Sequence, residues 1–196
     1  MSGKRLLWVL VLLVGAGAVA GLLLVRPNSE AAPSVSAAAA TWRAGERPAP
    51  AFQLHDQNGK VISLASYRGK PVLVTFMDPV CRDYCPLEAK VLNDAIARTP
   101  TASVIAVNVN LTDARPVQLL RAAREWHWSG QWRWAVGSGA QLRSVWQRYG
   151  VTVLVTKGEV VHTEATYLID AAGHERALFL WPFKAQSVTQ ALRDLS

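Results

Sequence analysis

Residues 71–86 read PVLVTFMDPVCRDYCP, and this stretch decides the fold. Residues 71–76 are short, apolar and rich in β-branched side chains, which predicts a strand buried on both faces of a sheet. The two cysteines of the chain, Cys81 and Cys85, follow this strand. Pro86 then opens a segment with apolar residues at helical spacing, which predicts a helix over residues 86–98. The stretch therefore predicts a strand-to-helix turn that carries both thiols.

The spacing of the two thiols has a chemical consequence. Residues four positions apart lie one turn apart on the same face of a helix. If the turn is helical, the sulfurs of Cys81 and Cys85 therefore point to one place and can share a metal ion or a disulfide. The free N–H groups at a helix N-terminus stabilise a thiolate, which is both the nucleophile and the metal ligand. Because Cys85 falls at the start of the predicted helix, we expect it to be the more reactive thiol. Two inert buried thiols or an inert disulfide are the alternative.

The segments on either side of this turn alternate between strands and helices. A β-hairpin is predicted where two short apolar runs flank Asp56-Gln57-Asn58-Gly59. Further strands are predicted over residues 104–109, 151–155, 166–169 and 176–179, and further helices over residues 116–126, 139–149 and 185–195. This order predicts an α/β fold: a thioredoxin-like mixed sheet with helices on both faces and an N-terminal β-hairpin.

A hydrophobic leader precedes this domain. Residues 6–25 are apolar and almost uncharged, and at about 1.5 Å per residue such a helix crosses a hydrocarbon core of about 30 Å. Lys4 and Arg5 precede the run and only Arg26 follows it closely. The apolar run continues past the possible cleavage site at Ala20, so its length predicts an uncleaved anchor in the cytoplasmic (inner) membrane. The positive-inside rule then predicts a cytoplasmic N-terminus, with the rest of the chain on the extracytoplasmic side.

The leader divides the chain into four predicted parts. Residues 1–5 are the cytoplasmic N-terminus, and residues 6–25 are the single transmembrane helix. Residues 26–41 are small, polar and interrupted by proline, as in a flexible linker. Residues 42–196 remain for the folded domain. A signal peptide cleaved after Ala20 is the alternative to an anchor.

Composition excludes several classes of protein. With 51% hydrophobic and 18% charged residues among 196, the chain is neither disordered nor coiled-coil. Two cysteines exclude a disulfide-dense scaffold and a four-cysteine zinc site. The net charge of +7 favours an acidic partner or an anionic membrane surface. No basic run of the kind found in nucleic-acid-binding tails is present, so we expect no nucleic-acid partner.

Four tryptophans, at positions 126, 128, 132 and 134, crowd nine residues. Core packing explains about half of such a cluster. The remainder are candidates for exposed docking anchors, because Trp is favoured at interaction hot spots.

A metal site built on the two thiols needs a third ligand. Copper is the metal that two sulfurs and one imidazole suit best. His55 and His174 lie beside predicted turns and His127 ends a predicted helix, so each has a structural explanation. His162 differs, because it lies in a segment between two predicted strands that faces the cysteine turn in a thioredoxin-like order.

The strand, the C-x-x-x-C-P turn, the later histidine and the run Tyr167-Leu-Ile-Asp170 together resemble the SCO/SenC family. This is a family of membrane-anchored, thioredoxin-fold copper proteins that help assemble the binuclear copper centre of cytochrome c oxidase. The resemblance implies that Cys81, Cys85 and His162 are the copper ligands. It also implies that the copper-bearing subunit of cytochrome c oxidase is the partner, with a thioredoxin-like reductant or another copper carrier as a further one.

The chain departs from the family pattern at several positions. Arg82 stands where proline usually follows the first cysteine, and Asp78-Pro79 replace an aromatic-threonine stretch. Asn110 and Ala114 stand where acidic residues usually follow the second buried strand. None of these positions is a ligand in the implied site.

A second function is open to the same thiols. An extracytoplasmic thiol-disulfide reductase, acting on oxidase or other client cysteines, also needs a low-pKa thiol and a resolving thiol. Thioredoxin-type oxidoreductases, however, have two residues between the cysteines and a cis-proline in the loop that faces them. Residues 151–170 contain no proline, and His162 lies there instead. We therefore expect a metallochaperone rather than an enzyme.

Overall fold

Strands buried on both faces form the centre of the fold, as residues 71–76 predict. The computed structural model describes residues 38–195. Its strands are β1 (Ala40–Thr41), β2 (Gln53–His55), β3 (Val61–Ser63), β4 (Val72–Met77), β5 (Ser103–Asn108), β6 (Trp132–Ala135), β7 (Val153–Thr156), β8 (Glu159–His162), β9 (Ala165–Ile169) and β10 (Glu175–Leu180). Its α-helices are α1 (Tyr84–Ile96), α2 (Pro116–Glu125), α3 (Gly139–Arg148) and α4 (Ala185–Arg193), and a 3-10 helix spans Leu64–Tyr67.

Six of the strands form one mixed sheet in the order β1-β10-β9-β4-β5-β6. The pairs β4–β5 and β5–β6 are parallel, whereas β4–β9, β9–β10 and β10–β1 are antiparallel. The predicted N-terminal hairpin forms as β2–β3, and β7–β8 forms a second hairpin outside the main sheet. This arrangement confirms the predicted mixed sheet.

Helices cover both faces of the sheet. Leu73 and Met77 of β4 pack on one side with side chains of α1, α2 and α4. Val74 and Phe76, at the intervening positions, pack on the other side with α3 and the β2–β3 hairpin. Burial of one such side chain stabilises the fold by about 1.5–3 kcal/mol. Alternate side chains of β4 therefore pack into the hydrophobic cores on the two opposite faces of the sheet, which is why this strand has no exposed polar face.

The second half of the tryptophan-rich stretch forms a strand. Trp132 and Trp134 are fully buried in β6, and Trp126, just after α2, is also buried. The indole N–H groups of the two strand tryptophans are satisfied, since Trp132 donates to Asn93 and Trp134 to the Leu119 carbonyl. Only Trp128 is half-buried, and it stacks on Trp132 with 4.3 Å between ring centroids. Core packing therefore explains three of the four tryptophans.

The segment before His162 also differs from its predicted form. The strand predicted over residues 151–155 forms as β7, but the residues after it, where we expected a loop, add β8 and close the β7–β8 hairpin. Its turn residues, Lys157 and Gly158, have φ values of 52° and 83°, which tight two-residue hairpin turns require. His162 ends the hairpin opposite Val153.

The N-terminal predictions fall largely outside the described residues. This applies to residues 1–5, to the transmembrane helix predicted over residues 6–25 and to residues 26–37. In residues 38–195, no helix is long and apolar enough to cross a membrane. Ala40 and Thr41, which we assigned to the linker, pair with β10, so they belong to the folded sheet.

Candidate functional site

Cys81 lies in the loop between β4 and α1. The Asp78 side chain accepts a hydrogen bond from the Val80 N–H at 2.9 Å, and the Asp78 carbonyl accepts one from the Cys81 N–H at 3.1 Å. This is an aspartate-stabilised turn, in which a short polar side chain replaces a backbone partner. The turn places Cys81 three residues before Tyr84, the first residue of α1.

A second strand fixes the same loop. Asn110 follows β5, and its Nδ2 donates to Asp78 Oδ1 at 3.1 Å. Asn108 holds Asn110 in place by two bonds to its backbone. Parallel strands end at the same edge of a sheet, so polar residues after β4 and β5 can meet there. Sequence reasoning noticed Asn110 only as a departure from the family and missed its contact with Asp78.

The Cys81 thiol is strongly acidified. Its pKa is lowered to about 6, first by a hydrogen bond from the Cys85 thiol and further by the backbone N–H groups of Cys85, Asp83 and Tyr84. Partial burial acts in the opposite direction. Free N–H groups at the start of α1 thus face this sulfur. At neutral pH, Cys81 is therefore mainly a thiolate.

Cys85 has the opposite character, and our expectation that it is the more reactive thiol is wrong. It is 1% exposed and packs in the core between the sheet and α1. Its pKa is raised, first by the hydrogen bond to Cys81 and then by burial. The physical reason is that α1 begins at Tyr84, and the free N–H groups of its first turn donate to the sulfur of Cys81 in the preceding loop rather than to Cys85. Both thiols are free.

His162 faces the same cavity as Cys81. This cavity has a volume of about 700 Å³, and the half-buried ring of His162 contributes to its wall. The ring Nδ1 lies 3.1 Å from the Thr163 carbonyl oxygen, which can only accept, so Nδ1 carries the proton. Burial lowers the pKa of His162. The ring is therefore neutral with a free Nε2, the state that a metal ligand requires.

The structure brings the three predicted ligands into one region without closing a metal cluster. Cys81 and Cys85 are hydrogen-bonded, and Cys81 and His162 share the cavity. In the part of the chain that the structure describes, no group of three or more His, Cys, Asp or Glu side chains lies close enough to hold a metal ion. His55, His127 and His174 do not line the cavity.

Two glutamates, Glu88 and the half-buried Glu164, lie near the thiols, and sequence reasoning missed both. Glu88 is fully buried on α1, where Oε1 accepts hydrogen bonds of 2.6 Å from the hydroxyls of Thr75 and Thr166. Burial raises its pKa. Glu164 lines the cavity, and burial is the first cause that raises its pKa to about 7. Sequence reasoning could have found Glu88, because it is a charged residue three positions after Cys85, on the predicted buried face of α1.

Together these features define a thioredoxin-like protein whose asymmetric dithiol shares an open cavity with a neutral imidazole. Residues 41–196 match the SCO1/SenC family. The chain therefore belongs to the SCO1/SenC family, which confirms the resemblance seen in the sequence.

Relatives extend this result. The SCO2-like protein of Rickettsia felis is 24% identical over 179 residues, which cover 86% of this chain and 85% of that protein. The structure of Bradyrhizobium japonicum ScoI with copper bound is 25% identical, with a TM-score of 0.64 over 76% of this chain and 99% of that one. BsSco, a member of the Sco family of cytochrome c oxidase assembly proteins with a disulfide switch, is 19% identical, with a TM-score of 0.65 over 76% and 93% of the two chains. The thioredoxin-like α/β fold is thus confirmed.

Proposed function

We propose that this chain binds copper through Cys81, Cys85 and His162 and delivers it to the copper-bearing subunit of cytochrome c oxidase. One observation carries the proposal: the acidified Cys81 thiol and the neutral His162 ring line the same cavity, and the Cys85 thiol donates a hydrogen bond to Cys81. Copper in Bradyrhizobium japonicum ScoI and the oxidase-assembly role of the family of BsSco support it.

The donor set fits copper. Two thiolate sulfurs and one imidazole nitrogen are soft or borderline ligands, which favour copper over hard cations. Cys81 is already deprotonated at neutral pH, whereas Cys85 releases its proton when the metal binds. His162 ends the β7–β8 hairpin, which lies outside the six-stranded sheet. A movement of this hairpin can bring the imidazole to the sulfurs while the sheet stays intact.

Copper content of the purified full chain tests this function. The protein is kept reduced in neutral detergent and titrated with Cu(I) against a competing chelator. We expect about one copper per parent chain, and a loss of most binding in Cys81→Ala and Cys85→Ala, because one thiolate and one imidazole make a far weaker site. His174→Ala, outside the cavity, is the matched control and keeps its copper. Full retention in either cysteine variant contradicts the proposal.

The location of the site follows from the predicted anchor, which is also part of the proposal. Residues 6–25 would hold the chain in the cytoplasmic membrane with the domain on the extracytoplasmic side. Residues 26–37 span at most about 40 Å when extended, at about 3.3–3.6 Å per residue. The copper site would then remain within reach of a membrane-embedded oxidase subunit.

Thiol-disulfide exchange is the second candidate function, and the asymmetry of the two thiols favours it. The Cys81 thiolate would attack one sulfur of a client disulfide and form a mixed disulfide. Cys85 would then lose its proton and attack Cys81, which releases the client as a dithiol and leaves a Cys81–Cys85 disulfide. A thioredoxin-like reductant would have to return two electrons for another cycle. His162 has no role in this scheme.

A further inference from the structure

The cavity beside Cys81 is acidic, although the chain is basic. The whole sequence has 21 Lys and Arg against 14 Asp and Glu. The cavity wall nevertheless has one guanidinium, that of Arg82, and five carboxyl groups, those of Asp78, Asp83, Asp113, Glu159 and Glu164. The pKa of Glu164, raised to about 7 by burial, leaves this one group only partly ionised at neutral pH. Of these five, only Asp113 has an ion-pair partner in residues 38–195, Arg115 at 3.8 Å. The acidic charge of the wall is therefore largely unneutralised.

Two of these carboxyl groups have an oxygen that can accept a further hydrogen bond. Both hydrogen bonds to the Asp78 side chain end on Oδ1, so Oδ2 can accept another. Glu164 Oε2 is buried and has no hydrogen-bond partner among residues 38–195. Leaving such a buried polar oxygen unpaired is costly. A cationic group that enters the cavity would supply a donor to both oxygens.

Exposed apolar side chains accompany the acidic wall. Tyr84, Val161 and Leu180 line the cavity with exposures of 55%, 56% and 46%. Leu154 is exposed on β7, directly across from Val161 and on the same face of the hairpin. These are four of the ten large apolar side chains that are exposed in residues 38–195. Exposed apolar side chains gathered in one place mark a protein-binding surface, whereas a metal ion gains nothing from them.

We propose that the mouth of this cavity docks a basic, partly apolar segment of a partner protein. Lysine or arginine side chains of the partner would face the carboxylates, and its apolar side chains would cover the β7–β8 hairpin. The remaining Lys and Arg residues of this chain repel the same partner elsewhere, so the charge pattern steers the segment to the thiols. The inference rests on the proposed function only for what is exchanged after docking. At this surface the expected partner is therefore basic, although the net charge of the whole chain suggests an acidic one.

Binding of model peptides to the metal-free full chain in neutral detergent tests the docking surface. The probe is a fluorescent twelve-residue peptide of alternating lysine and valine, and anisotropy reports its binding. We expect binding that weakens severalfold when the ionic strength rises from about 0.02 to about 0.3 M, because screening shortens the reach of surface charge. A peptide with glutamate in place of lysine should not bind, and one with serine in place of valine should bind more weakly.

Two variants with matched controls locate the binding. Glu159→Lys should weaken the lysine-valine peptide about threefold to tenfold, whereas Glu125→Lys, the same charge change at the end of α2, should have little effect. Val161→Thr should also weaken it, whereas Val61→Thr, exposed on β3, should not. Equal effects of the paired variants, or equal binding of the glutamate peptide, overturn the proposal.

The copper titration separates this inference from the proposed function. Peptide binding is measured without copper, and Glu159→Lys is expected to bind copper as the parent does. A parent chain that binds the peptide but no copper refutes the proposed function and leaves the docking surface standing. A parent chain that binds copper but not the peptide refutes the docking surface alone.

Discussion

Replacing Cys85 with alanine should raise the pKa of Cys81. The largest cause of the low pKa, about 6, is the hydrogen bond from the Cys85 thiol, and alanine removes that donor. A hydrogen bond to a charged group contributes about 1.5–3 kcal/mol. At about 1.36 kcal/mol per pH unit, its loss should raise the titration midpoint of Cys81 by about one to two pH units. The parent would be about 90% thiolate at pH 7, and the variant about half or less.

Alkylation of the reduced, metal-free full chain measures this midpoint. The rate of iodoacetamide modification at Cys81 is followed by mass spectrometry from about pH 4 to pH 10. Cys85→Ser is the control, because a serine hydroxyl still donates and should keep the midpoint nearer to 6. A parent midpoint close to the ordinary thiol value of 9.0, or the same midpoint in the parent and in Cys85→Ala, would refute the reasoning.

Three further predictions concern the buried acid, the loop and the leader. The pKa of Glu88 is raised by burial, so the unfolded chain ionises near 4.5 while the folded chain keeps this proton to higher pH. The free energy of unfolding of Glu88→Gln, measured with urea, should therefore rise relative to that of the parent as pH increases above about 4.5. A difference between the two proteins that does not change with pH contradicts this. Asn110→Asp should lower the free energy of unfolding by about 1–3 kcal/mol, because two carboxylates then meet. The double variant Asp78→Asn with Asn110→Asp should recover most of the lost stability. If the double variant recovers none, the contact between these two side chains is refuted. If residues 6–25 are an anchor, the mature protein should stay in the membrane after alkaline washing and begin near Met1, whereas a soluble form that begins after Ala20 contradicts it.

Much of the fold could be predicted from local patterns. The β-branched run before the cysteines, the Asn-Gly turn and the apolar spacing after Pro86 all depend on neighbouring residues, and each element formed within two residues of its predicted start. Strands β6 and β8 were missed because each has only four residues and, unlike β7, neither has a continuous run of β-branched or other aliphatic residues. In β6, large tryptophans in a polar setting also resembled a docking segment.

The sequence predicted which cysteines share the site, but not which thiol is acidified or the charge of the cavity wall. The spacing of Cys81 and Cys85 indicated a shared site, yet the reactive thiol depends on where α1 begins, and helix ends are uncertain by a residue or two. A shift of that size reverses which sulfur faces the free N–H groups. The acidic wall could not be foreseen, because it gathers carboxylates from three separate parts of the chain.

Copper affinity of His162→Ala decides whether this imidazole is the third ligand. The full chain, reduced and in detergent, is titrated with Cu(I) against a chelator, and the same samples are cycled between dithiol and disulfide with a small dithiol. We expect a severe loss of copper affinity with unchanged cycling of the Cys81–Cys85 pair, since exchange needs only the two sulfurs. His55→Ala, His127→Ala and His174→Ala should bind copper as the parent does. If His162→Ala also binds copper as the parent does, the ligand assignment is wrong and thiol-disulfide exchange becomes the better account.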